Sequence, residues 1–305
     1  MEYNELIKKA QECVDKKDYS EAIAIYKMAF KNMISASDYA DFIYCYLELD
    51  ELDKALESIK YYLQSTNGEA AGYYYYGEYY VKKGDYLNAI SKYKIALRKG
   101  QKEAIYEIGL CYQELSEKNK KYLNKAIKYY KMNIKEKGYD FDTYYNISLV
   151  YEDKKKFKKA LSYALYAYNK NSNYSDIAFN IGIIYQHLKK YDEMEKYYLL
   201  ETNNENPSYG AFYNLGLHYK VIKNYEKSQE YYIKGLGYCK NDYRLWYNLG
   251  CLYSIIKEYQ KATDCFYCSY LINDKTINYV SEDDEAQDYI KTQYFQELKE
   301  KTKVL

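Results

Sequence analysis

Residues 243–274 read YRLWYNLGCLYSIIKEYQKATDCFYCSYLIND. Trp246, Leu249, Gly250 and Tyr253 fall three, one and three residues apart, the spacing of one helix face. A polar turn at Lys257 and Glu258 follows, and Ala262, Phe266 and Ser269 mark a second helix at offsets of four and three. Moving back 34 residues finds Phe212, Leu215, Gly216 and Tyr219, then Ser228, Tyr232 and Gly235. A further 34 finds Ala178, Ile181, Gly182 and Tyr185, then Met194, Tyr198 and Glu201. A fixed period with two helices per unit is the mark of a helical repeat.

The same phase runs through the earlier chain. Ala22, Tyr26 and Ala29 mark a first pair of helices, whose leading helix matches only loosely. Ile43 takes the small-residue position in the second pair, which predicts slightly wider helix spacing there. Gly77, Ala89 and Tyr93 mark the third pair, Gly109, Ala126 and Tyr130 the fourth, and Ser148 and Ala160 the fifth. The fourth carries five extra residues around Ser116–Lys120, which predicts a stretched helix or a loop. Glycine inside a helix costs about 1 kcal/mol relative to alanine. Its recurrence at one phase therefore needs a geometrical reason, and we expect Gly77, Gly109 and Gly250 to admit a close second helix against Ala89, Ala126 and Ala262. After Asp274 the rhythm stops. Ser281 and Asp284 form a candidate capping box, and Ala286, Ile290, Tyr294 and Leu298 recur near helical spacing.

An aromatic residue, Leu-Gly and Tyr, then Ala, Phe or Tyr and Ala, resembles the tetratricopeptide repeat (TPR) family, with a faint Sel1-like lengthening in the fourth unit. The resemblance covers nearly the whole chain. It implies an all-α fold, a right-handed α-α superhelix of about eight hairpins over residues 1–274, followed by a linker and a C-terminal capping helix over 275–305. The repeats would start near 3, 36, 70, 102, 141, 175, 209 and 243.

Composition narrows the function. Lys plus Arg number 45 against 44 Asp plus Glu, so no whole-chain field draws in nucleic acid or an anionic membrane. No apolar run is long enough to span a bilayer, and the N-terminus lacks the basic start and apolar core of a signal peptide. Seven scattered cysteines read as free thiols in a reducing cytosol, so the expected location is cytoplasmic. Tyrosine is abundant at 49 copies, most at helix-packing spacings, where a ring fills the seam and its hydroxyl reaches a partner. The two histidines, His187 and His218, stand on different repeats without metal-ligand spacing. Cys265 and Cys268 form an isolated Cys-x-x-Cys inside a helix and read as packing thiols. There is no phosphate loop or nucleophile elbow. We expect no enzyme, no cofactor and no metal.

The resemblance places the first helix of each pair on the inside of the superhelix. Four successive repeats carry Tyr145-Asn146, Phe179-Asn180, Tyr213-Asn214 and Tyr247-Asn248 at one phase, so the asparagines form a ladder with one rung per repeat. An asparagine amide both donates and accepts, matching an extended peptide backbone. Superhelices of this kind that hold peptides by the main chain use asparagines there. The resemblance thus implies peptide contact at Asn146, Asn180, Asn214 and Asn248, with Lys220 and Arg244 beside them. The other reading of the ladder is structural: each amide bonds a neighbouring helix and sets the twist. In the N-terminal half the flanking candidates are acidic, Asp41, Glu78, Glu103, Glu107, Glu114 and Asp142 against Lys8 and Lys82, which suits a basic segment. The expected function is a protein-binding scaffold holding an extended peptide. The alternatives are an architectural subunit using its convex face or ends, and a peptide-sensing regulator. For the last, a first repeat starting near residue 3 is expected to leave no room for the DNA-binding or effector-binding domain that such regulators carry ahead of their repeats. Nothing in the sequence supports homo-oligomerisation.

Overall fold

The computed structural model describes residues 3–30, 36–172 and 176–303, so the expected repeat start at 175 lies outside the described residues. These residues are mostly helical, with no strand among them. The chain divides into two compact units, Met1–Lys155 and Lys156–Leu305.

In the first unit α1 (Tyr3–Asp15) pairs with α2 (Tyr19–Ala29), and α3 (Ala36–Glu48) with α4 (Leu52–Ser65). Next, α5 (Ala70–Lys82) pairs with α6 (Tyr86–Arg98), and α7 (Ala104–Lys118) with α8 (Leu123–Lys137); α9 (Phe141–Asp153) closes the unit. The extra residues of the fourth pair do two things. They lengthen α7 to Lys118 and add a 3₁₀ turn at Lys120–Tyr122. In the second unit α10 (Phe157–Lys170) precedes α11 (Ile177–His187) with α12 (Tyr191–Thr202), α13 (Tyr209–Val221) with α14 (Tyr225–Tyr238), and α15 (Tyr243–Ile255) with α16 (Tyr259–Ile272). Within each unit every helix packs on the next, so each pair supplies the core its neighbour lacks.

One turn geometry joins the two helices of most pairs. Lys17, Asp50, Gly84, Lys189, Lys223 and Lys257 all stand in the left-handed region, with φ between 57° and 70°. The N–H of the following residue reaches back to close the helix end: Glu51 to the Tyr46 carbonyl, Asp85 to Tyr80, Lys190 to Tyr185, Asn224 to Tyr219 and Glu258 to Tyr253. Where that residue is Asp18, Asp85 or Asn224, its side chain also caps the next helix.

The recurring glycines have a different neighbour from the one expected. A β-carbon on Gly77 would lie 2.5 Å from the Tyr93 ring, on Gly109 2.7 Å from Tyr130, and on Gly182 2.4 Å from Tyr198. The same holds for Gly216 against Tyr232 at 2.5 Å and Gly250 against Phe266 at 2.7 Å. The glycine therefore makes room for a fully buried ring, and the residue one turn before that ring (Ala89, Ala126, Met194, Ser228 or Ala262) is buried as well. In the second pair, where Ile43 replaces the small residue, the ring position holds Ile59, and both are fully buried. The aromatic residues after the turns reach the next pair. Tyr19 meets Tyr44 edge-on at 5.9 Å, Phe157 stacks on His187 at 4.4 Å, and Tyr259 lies 6.1 Å from Tyr289.

The C-terminal segment departs from the expected helix starting at Ser281. Ser281 lies inside α17 (Thr276–Glu282), its hydroxyl bonded to the Ile277 carbonyl. Asp283 breaks the helix and caps a 3₁₀ turn, Asp284–Ala286; a second turn, Tyr289–Lys291, leads to α18 (Gln293–Lys303). The break lets Val280, Ala286, Tyr289, Phe295 and Leu298 all bury in the core cluster of α15 and α16, which one straight helix cannot do.

Candidate functional site

The asparagine ladder is knitted to tyrosine hydroxyls. In the first unit the Asn146 amide donates to Tyr106 at 2.9 Å. In the second, Asn214 donates to Tyr198 at 3.0 Å, and Asn248 donates to Tyr213 at 3.4 Å and to the Arg244 carbonyl at 2.9 Å. Asn180 is buried at 4% exposure, so it is closed to a ligand on the surface. Tyr145 stacks on Phe141 within its own helix.

The remaining residues of the sequence-derived site separate into two groups. Phe179, Tyr213, Asn214 and Arg244 come together with Ser208, Tyr209 and Gly210 around a recess of about 310 Å³. Gly210 has no side chain because the Phe179 ring lies over it, 2.6 Å from where a β-carbon would be. Arg244 lies over the Tyr213 ring at 5.5 Å and forks onto Asp242, with Nη2 to Oδ2 at 2.6 Å. Burial pushes the Asp242 carboxyl up, but the Arg244 hydrogen bonds and charge outweigh it and leave it below its ordinary value.

Lys220, Tyr247 and Asn248 form the second group, and the chain's own C-terminal segment engages two of them. Lys220, only 8% exposed, places its ammonium 2.5 Å from Glu285 and 3.3 Å from the Asn248 oxygen. Tyr247 donates to Asp283 at 2.5 Å, and Ser254 to the Glu285 carbonyl at 3.2 Å. Cys251, Asp283 and Glu285 bring ligating atoms within 4.8 Å of one another. The Lys220 ammonium already pairs with Glu285 and the Tyr247 hydroxyl already donates to Asp283, so this cluster reads as a polar lock on the C-terminal segment rather than a metal centre.

Sequence reasoning missed the larger feature. A recess of about 870 Å³ opens between α12 and α13. It is lined by His187, Tyr191, Glu195, His218, Val221 and Ile222 among others, and by Asn214. Val221 and Ile222 are 76% and 54% exposed. A signal for it was present: Asn214, Leu217, His218 and Val221 share one helical face. Asn214 thus lies where the two recesses meet.

In the first unit the acidic candidates receive tyrosine hydroxyls. Tyr26 donates to Asp41 at 3.5 Å, Tyr74 to Glu107 at 3.4 Å, Tyr86 to Glu114 at 3.4 Å, and Tyr93 to Glu78. Burial, followed by the charge of Glu78, raises the Glu107 carboxyl to about 7. Lys82 pairs with Glu48 at 3.3 Å.

A family model described as the tetratricopeptide repeat matches residues 141–165, 175–200 and 243–267. The chain carries tetratricopeptide repeats. Among solved structures, Pseudomonas aeruginosa PilF is 15% identical with a TM-score of 0.58, over 69% of this chain and 94% of that one. The C-terminal part of a TPR repeat-containing protein from Cytophaga hutchinsonii is 20% identical with a TM-score of 0.53, over 94% of this chain and all of that one. A tetratricopeptide repeat protein from Parabacteroides merdae is 17% identical with a TM-score of 0.55, over 76% and 98%. At these identities the likeness is one of fold. No curated protein matched. TPR folds support protein–protein interaction, and TPR proteins are generally non-catalytic. No helix among the described residues of this TPR protein is long and apolar enough to cross a membrane.

Proposed function

We propose that this TPR protein is a non-catalytic binding module that holds an extended segment of a protein partner against the first helices of the second unit. The observation that carries this is the place of Asn214. Its amide group donates to Tyr198, which orients it, and recesses of about 310 and 870 Å³ lie on either side. A peptide crossing α13 would set alternate side chains in the two recesses and use the oriented Asn214 oxygen as an acceptor for a backbone N–H. The ladder is then both structural and functional: tyrosine hydroxyls take amide donors at Asn146, Asn214 and Asn248, and Asn214 is the rung with space beside it. Lys220 and Tyr247, engaged by Glu285 and Asp283, drop out of the proposed contact surface.

The test is selection of peptides from a random dodecamer library on the full chain, followed by affinity measurement on wild type and Asn214→Ala of equal melting temperature. Loss of the backbone bond should weaken binding by roughly 5- to 100-fold, since a lost bond with an unsatisfied partner costs about 1–3 kcal/mol. Recovery of no peptide, or equal affinity for both proteins, overturns the reading.

One observation favours an architectural role instead. On α14 and α16, Ile233, Tyr238 and Leu271 are 48%, 59% and 58% exposed, and a recess of about 460 Å³ runs past Ile233 and Trp246. If Ile233→Asp with Leu271→Asp removes a stable assembly from the source cell and Asn214→Ala does not, that face is the working one.

A further inference from the structure

We infer that the recess between α12 and α13 receives an arginine side chain of the bound segment, an inference that rests on the reading of Asn214 above. One wall is aliphatic: Leu217, Val221 and Ile222 line it, the last two standing mostly in solvent. Such a wall suits the three-carbon stem of a long side chain with a charged head. Two flat rings also line it, Tyr191 from α12 and His218 from α13, with centroids 6.3 Å apart and planes 23° apart. A planar guanidinium stacks on such faces, which an ammonium does less well.

The charges select a cation. Glu195 and Asp192 both line the recess, opposed among the lining residues by Lys189 alone. The Glu195 carboxylate is already held in place: Tyr219 donates to one oxygen at 2.5 Å, and the other lies 3.5 Å from His218 Nε2. A carboxylate fixed by a hydroxyl and an imidazole is preorganised for the fork of an arginine, so little side-chain freedom is lost on pairing. An acidic ligand side chain would meet both carboxylates. A purely apolar one would strip water from Glu195 and add no hydrogen bond beyond those to Tyr219 and His218.

The experiment uses the same random dodecamer library on the full chain. Recovered peptides should be enriched in arginine, and resynthesis with citrulline should weaken binding to wild type at least 10-fold. On Glu195→Gln, which keeps the acceptor for Tyr219, the arginine and citrulline peptides should bind within about 3-fold of each other. Asp192→Asn, at an exposed position, should narrow the difference in part. Peptides that bind in an Asn214-dependent way but tolerate citrulline overturn the arginine assignment and leave the binding face standing. Failure to recover any peptide removes both. An undiminished arginine preference in both Glu195→Gln and Asp192→Asn shows that the arginine is read elsewhere and overturns the assignment to this recess.

Discussion

A β-carbon on Gly216 would stand 2.5 Å from Cε1 of Tyr232, a ring with no exposed surface. The two residues are complementary halves of one contact, sixteen positions apart on α13 and α14. Gly216→Leu should therefore force the pair of helices apart and cost roughly 1–3 kcal/mol on urea denaturation. Combining it with Tyr232→Ala should restore part of the loss, because the sites couple directly. Additive effects in the double mutant would show that the contact is not the cause.

Tyr232 differs from its counterparts in a second way. The Tyr130 hydroxyl donates to Gln113 at 2.6 Å and that of Tyr198 to Gln186 at 2.8 Å, whereas that of Tyr232 is buried without a hydrogen-bond partner. Phe266 already fills the same position in the next pair. Tyr232→Phe should be neutral or stabilising in a thermal melt, while Tyr130→Phe should cost roughly 0.5–1.5 kcal/mol.

The turn lysines carry a backbone cost that Gly84 avoids. Lys223 holds φ at 61° and is exposed. Lys223→Gly should raise stability by up to about 1 kcal/mol, the strain of a left-handed conformation less the entropy that glycine adds to the unfolded chain. A loss of stability on denaturation would mean the lysine side chain contributes more than its backbone costs.

Glu107 makes stability depend on pH. Its carboxyl titrates at about 7 in the folded chain against an ordinary 4.5, through burial first and the Glu78 charge second. Between those values the unfolded chain is ionised while the folded one holds the proton, so stability falls as pH rises through this window and the loss is complete above it. Glu107→Gln should do little near pH 4 and stabilise by about 1–3 kcal/mol at pH 8. Denaturation curves at the two pH values read the difference. A gain of equal size at both would place its cause in packing.

The C-terminal lock rests on Lys220 and Glu285. Glu285→Gln removes the charge facing a lysine that is 8% exposed, but Glu285 itself is 41% exposed, so water screens part of the loss. The expected cost is about 1–2 kcal/mol, with faster amide exchange in residues 283–292 than in α13. Unchanged exchange there would leave the segment held by Ala286, Tyr289 and Phe295 alone.

The hairpins were legible because the information lies in short windows. Helix faces repeat every three or four residues, a glycine at one phase marks a close approach, and each unit restates the pattern of the last. The ring opposite that glycine was within reach too, sixteen residues on, but periodicity reports which positions are small and not which neighbour they make room for. The C-terminal capping box failed for a related reason. Ser281 and Asp284 satisfy a local rule, yet burying Val280, Ala286 and Tyr289 together on α15 and α16 requires a break at Asp283.

For the candidate site, sequence went as far as the ladder and its face. Periodicity alone put Asn146, Asn180, Asn214 and Asn248 at one phase, because a fixed repeat length returns the same position to the same side of each first helix. Which rung has room beside it was a matter of packing between elements far apart in the chain. Asn180 is buried, Asn248 sits against Lys220 and through it Glu285, and Asn214 stands between two recesses. Identical rungs diverge because each amide's surroundings come from other repeats and from a C-terminal segment that no longer repeats.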